Sequence, residues 1–148
     1  MLEIDPAQLH VVQQWVLKAE NDLTTATLTL KSGEGGPTDT ICFHAQQCVE
    51  KYLKALLAWH SIDFPKTHNI KTLLQRLPSR VHPELTVAEQ ERLTDFATVT
   101  RYPGDYEPIT LTEARRAVTL ARRVRRQVRR WLPKPALLAR RWTSSTTP

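Results

Sequence analysis

Phe43-His44-Ala45-Gln46-Gln47-Cys48-Val49-Glu50-Lys51-Tyr52-Leu53-Lys54-Ala55-Leu56-Leu57 is the stretch that decides the fold. Its apolar residues recur at helical spacing, within a helix predicted from about Thr38 to His60. Ile41, Ala45, Cys48, Val49, Tyr52, Leu53, Leu56 and Leu57 together cover about half the helical circumference. An arc that wide requires burial against several neighbours. His44, Gln47, Lys51 and Lys54 form the remaining polar stripe.

The flanking sequence supplies those neighbours. Upstream, Leu9, Val12, Val16, Ala19, Leu23, Ala26 and Leu30 alternate at spacings of three and four, one continuous apolar stripe. Asp5-Pro6-Ala7-Gln8 reads as its start, with Asp5 capping, Pro6 in the first turn and Gln8 reaching back. The breaker cluster Ser32-Gly33-Glu34-Gly35-Gly36-Pro37 ends it. Downstream, a short third helix is predicted over Asn69 to Leu77. Thr86-Val87-Ala88-Glu89 is a capping box opening a fourth helix that runs to about Thr100, before Pro103-Gly104. Thr110-Leu111-Thr112-Glu113 is a second such box, opening a fifth helix to about Leu132, where Pro133 and Pro135 stop it. No strand or hairpin signal competes. The expected fold is all-α, an up-and-down antiparallel bundle of about five helices.

The totals fit one domain: 148 residues, long enough to bury a core. No apolar run approaches the roughly 20 residues of a membrane span, and no secretory signal is visible at Met1 to Asp5. Cys42 and Cys48, six residues apart on one helix, would lie about 9 Å apart along its axis, too far for a disulfide. Two buried thiols and a cytoplasmic location are expected.

The net charge of +6 is unevenly placed. Residues 111–148 hold eleven Lys/Arg and one acid, Glu113, whereas the rest of the chain holds ten basic and fourteen acidic groups. On the fifth helix Ala114, Ala117, Val118, Ala121, Val124, Val128 and Leu132 form the apolar face. Arg115, Arg116, Arg122, Arg123, Arg126, Arg129 and Arg130 occupy an opposite arc of about 140°, with Arg125 at its border. No acid interrupts them. So arranged they repel one another unless an anion is present, and an RNA backbone or an acidic surface would relieve that. A solubilising basic face is the plain alternative.

Three segments carry a resemblance. They are Trp15-Val16-Leu17-Lys18-Ala19-Glu20-Asn21-Asp22-Leu23, the helix-two stretch continuing through Phe64-Pro65-Lys66-Thr67-His68-Asn69-Ile70, and Arg101-Tyr102-Pro103. In order and spacing the chain resembles the HEPN-domain family over roughly residues 10 to 130. The resemblance implies a helical bundle similar to the C-terminal domain of kanamycin nucleotidyltransferase and usually homodimeric. The bundle is expected to span 1–132, and 133–148, outside the resemblance, is expected to be a flexible basic and polar tail. It implies a minimal nucleotidyltransferase as partner in a toxin–antitoxin-like module. It also implies metal-independent ribonuclease chemistry in members carrying an Arg, four to six residues, then His.

Here Arg101 supplies the arginine, but Tyr106, Glu107 and Pro108 stand where the histidine belongs. Acid–base work near neutral pH is easiest for imidazole; a phenol or a carboxyl, ordinarily titrating near about 10 and about 4.3, needs a large shift to replace it. The leading expectation is therefore a nucleotide- or RNA-phosphate-binding partner protein using His44, Lys51, Lys54, His68, Arg101, Arg115, Arg122, Arg126 and Arg129. The alternative is a ribonuclease with an altered centre at Arg101 and Tyr106, drawing on His68 or His44. Each residue also has a plainer reading. Arg101 can pair with Asp105 or the carbonyls ending helix four. Tyr106 can pack, His68 can start a helix, Lys51 and Glu50 can pair locally, and the stripe of His44, Gln47, Lys51 and Lys54 can be a solvated face. No metal spacing is present, and no metal or cofactor is expected.

Overall fold

The computed structural model describes residues 3–137. Five α-helices follow in order: α1 (Pro6–Leu30), α2 (Thr38–Trp59), α3 (Ile70–Arg76), α4 (Val87–Ala97) and α5 (Leu111–Trp131). Single 3-10 turns lie at Ser79–Val81, Val99–Arg101 and Lys134–Leu137. No strand is present among the described residues.

The helix ends follow their caps, with informative departures. Asp5 accepts from the Ala7 N–H, but Gln8 does not reach back. Its amide crosses to α2 and donates to the carbonyls of Ala58 and Trp59 and to the Ser61 hydroxyl, capping the far end of a neighbour. The Thr86–Glu89 box forms completely. The second box is half made: Thr110 accepts from the Glu113 N–H, while the Glu113 carboxylate turns to Arg92 of α4. α4 stops at Ala97, short of Thr100. The Thr98 and Thr100 hydroxyls donate to the Thr94 and Asp95 carbonyls, a local bonding that competes with the helix. Between α1 and α2, Gly33 and Gly35 take positive φ, which lets the turn close.

α2 is the axis of the bundle. α1, α3, α4 and α5 all pack on it, so the wide apolar arc is filled within one chain. That arc therefore supplies no argument for a second copy. Cross-links fix the directions. Gln8 meets Ala58, so α1 and α2 are antiparallel. Thr38 donates to the Ile109 carbonyl while Arg129 reaches Tyr52, so α2 and α5 are parallel. Arg92–Glu113 and Arg123–Glu89 set α4 antiparallel to α5. Tyr52, Ile41, Leu53, Leu56, Leu57 and Leu73 are fully buried at the centre. Packing also continues past Leu132. Ala136 is buried, and Gln13 of α1 donates to the Pro135 carbonyl. The remainder of the expected tail, 138–148, lies outside the described residues.

Cys42 and Cys48 are free and buried. Burial, helped by the Glu113 carboxylate, pushes the Cys42 thiol up to about 12, and burial also raises Cys48 and Tyr52. Above pH about 9 the unfolded chain loses thiol protons that the folded chain keeps, so stability falls as pH rises toward about 12. The native protein is expected to resist thiol reagents near neutral pH and to melt at lower temperature as pH is raised through that window. Rapid thiol labelling of the native protein would contradict this.

Candidate nucleic-acid interface

The polar side of α2 is not a solvated face. Gln46, Gln47, Glu50 and Lys54 are buried there, each within a closed network. Glu50 is its hub: Oε1 accepts from Gln46 (3.2 Å), Gln47 (3.4 Å) and His68 Nδ1 (2.7 Å), and Oε2 from Lys54 Nζ (3.0 Å). Lys54 also lies over the rings of Trp15 and Phe64. Asp22 of α1 holds the other two expected contacts, accepting from His44 Nδ1 at 2.8 Å and from Lys51. His44, Lys51, Lys54 and His68 are thus distributed over two carboxylates and do not converge on one anion-binding cleft. Glu50 does pair locally, with Lys54 one turn on, whereas Lys51 crosses to α1 for its acid.

Arg101 is exposed; its backbone N–H donates to the Thr98 carbonyl at the end of α4, while its guanidinium bonds neither Asp105 nor a carbonyl ending α4 among the described residues. Its guanidinium stacks on Phe43, with Cζ 3.9 Å from the ring centroid. Tyr106 is half-buried, its hydroxyl donating to the Thr100 carbonyl at 3.1 Å, which shapes the loop.

α5 divides its eight arginines into two sets. The half-buried set is neutralised by acids from other helices. Arg125 Nε and Arg129 Nη1 donate to Glu20 Oε1 at 2.7 and 3.0 Å, beside the Tyr52 hydroxyl at 2.6 Å. Arg123 pairs with Glu89. Burial alone would raise the Glu89 carboxyl; the Thr86 backbone N–H and Arg123 outweigh it, so Glu89 titrates below the usual carboxylate range. The expectation of eight uncompensated arginines is therefore corrected: the acids were simply distant in sequence. The exposed set, Arg115, Arg116, Arg122, Arg126 and Arg130, has no acidic partner among the described residues.

Arg122, Arg125, Arg126, Arg129 and Arg130 line one groove of roughly 490 Å³ with Leu23 of α1. Beyond Leu23, its α1 wall continues through Thr24, Thr27 and Leu28, with Glu20 at its foot. Sequence reading missed this wall, and missed Phe43 beneath Arg101. Alternate burial along α1 was visible; which neighbour its polar edge would meet was not.

The chain matches the HEPN domain over residues 12–131. It belongs to the HEPN domain family. Two solved structures share the HEPN bundle seen here. TT1696 from Thermus thermophilus is 28% identical with a TM-score of 0.66, covering 82% of this chain and 98% of its own. ST0689, an archaeal HEPN homologue, is 28% identical with a TM-score of 0.62, covering 81% and 96%. No curated protein matches. Among the described residues of this HEPN chain, no helix is long and apolar enough to cross a membrane, and no cluster of three or more potential metal ligands is present.

Proposed function

We propose that this HEPN bundle binds RNA or nucleotide phosphates through the exposed arginines of α5, with Arg101 as a further cation. On this reading it acts as a homodimeric partner of a minimal nucleotidyltransferase in a toxin–antitoxin-like module. The observation that carries the binding is the separation of α5 into paired and unpaired arginines. Glu20 and Glu89 account for three; of the others, Arg122, Arg126 and Arg130 crowd positive charge along one groove with no acidic partner among the described residues. Helical positions four apart are neighbours, and like charges there repel, so an anion in the groove stabilises both itself and the helix. HEPN proteins are commonly dimeric, which supports the homodimer. The partner follows from the family resemblance alone, and co-purification with the product of an adjacent nucleotidyltransferase gene tests it.

Replacing Arg122, Arg126 and Arg130 together by Gln tests the binding. Each phosphate contact contributes about 0.7 to the slope of log K against log salt for a single strand. The triple variant is expected to lose about 2 from that slope while keeping its helical circular dichroism. Unchanged RNA affinity, or no binding at low salt by the parent protein, defeats the proposal.

One observation favours the second reading, a metal-independent ribonuclease with an altered centre. Asp22 holds His44 Nδ1, and among the described residues His44 Nε2 has no hydrogen-bond partner and is not buried. The ring of His44 stands 5.3 Å from that of Phe43, on which Arg101 stacks at 3.9 Å, so guanidinium and imidazole lie within a summed limit of about 9 Å. RNA cleavage in chelator, abolished by Arg101→Ala and His44→Gln, would establish it; an inert, folded parent protein would remove it.

A further inference from the structure

We infer that the α1–α5 groove accepts one nucleic-acid strand rather than a duplex, with phosphates along α5 and riboses against α1. The inference rests on the phosphate-binding reading and narrows its ligand. Arg122, Arg126 and Arg130 recur every fourth residue, which advances the charge by about 6 Å per step. That step matches successive phosphates of one compact strand, and the row is a single line on a single helix.

The opposite wall excludes a second line. Leu23, Thr24, Thr27 and Leu28 are uncharged, and the one ionised group there, Glu20, is an acid. A duplex presents two phosphate rows across a groove and needs cations facing both. This wall would meet the second row with a carboxylate. It suits a sugar edge instead. Thr24 and Thr27 stand three residues apart on α1, on the face that meets α5. The Thr24 hydroxyl has no partner among the described residues. Thr27 Oγ1 accepts weakly from Arg122 at 3.4 Å and keeps its own proton to donate. Leu28, 58% exposed, offers apolar surface beside them. Hydroxyl donors at this edge recognise the ribose 2′-hydroxyl, the group that separates RNA from DNA. Among the described residues no aromatic side chain lines the groove, so they build no base stacking into it.

The test is fluorescence anisotropy of the full chain with three labelled probes of equal length. They are oligouridylate, oligothymidylate and a mixed-sequence RNA duplex, across a salt series. Oligouridylate should bind about tenfold or more tighter than the duplex, with a slope of about −2, as expected for the contacts of Arg122, Arg126 and Arg130 at about 0.7 each. It should also exceed oligothymidylate severalfold, and Thr24→Val with Thr27→Val should erase that preference. Duplex binding equal to or tighter than the single strand overturns the inference while leaving phosphate binding intact. Equal affinity for the ribo- and deoxy-strand overturns its ribose half. Absence of binding to all three probes at low salt overturns the phosphate reading itself.

Discussion

Glu50→Ala is expected to lower the melting temperature by on the order of 10 °C. Glu50 is 2% exposed and, among the described residues, is the only carboxylate serving Lys54, His68, Gln46 and Gln47. Removing it leaves the buried Lys54 ammonium without its carboxylate and costs the Gln46 and Gln47 amides one of their two acceptors, the others being the His68 carbonyl and Gln46 Oε1. Breaking a buried pair from one side costs about 3–5 kcal/mol. In a chain of this size about 1 kcal/mol moves the midpoint by about 2–4 °C. Glu50→Gln retains an acceptor oxygen without the charge, and should fall between parent and alanine variant. A midpoint within about 2 °C of the parent for Glu50→Ala, equivalent to under about 1 kcal/mol, would show that water replaces the carboxylate and that the hub is not structural.

Glu20→Gln should tighten RNA binding while weakening the fold. One oxygen of Glu20 receives Tyr52, Arg125 and Arg129, so the carboxylate occupies part of the arginine groove as an internal anion. Neutralising it frees two guanidinium groups for phosphates. The salt slope should steepen by about 1.4, two contacts at 0.7 each, and low-salt affinity should rise by about an order of magnitude. Stability should drop by about 1–3 kcal/mol, because Tyr52 remains buried beside a weaker acceptor. Affinity and slope indistinguishable from the parent would mean that Arg125 and Arg129 never reach the ligand. Arg122, Arg126 and Arg130 would then supply the phosphate contacts of the groove without them.

Much of the bundle was legible because its signals are local. The stripe from Leu9 to Leu30, the breaker cluster before Thr38 and the Thr86 box each act within a few residues, and each is found in place. Where the sequence misled, the deciding partner was remote. Glu20 and Arg125 are 105 positions apart, so a helix free of acids looked uncompensated although its inner edge is paired. The stripe of His44, Gln47, Lys51 and Lys54 could be read as an anion-binding or a solvated face because its acids stand outside it: Asp22 on α1, and Glu50 elsewhere on α2. Periodicity reports where hydrophobic groups gather; it does not report which polar groups are carried inward with them. For the same reason the missing histidine after Arg101 was plain, while the Asp22–His44 pair was invisible.

The encasement of α2 has a consequence for how this molecule opens. Its neighbours cover it along both edges, and the Gln8 amide ties down its last carbonyls, where a helix ordinarily frays. Local opening of α2 would require the departure of α1 and α5 together. Native-state amide hydrogen exchange should therefore find its slowest protons between Ile41 and Leu57, exchanging only through complete unfolding. The α4 end and the Val99–Arg101 turn, by contrast, should exchange early. The segment that identifies the fold by sequence is thus also its natural gauge of global stability.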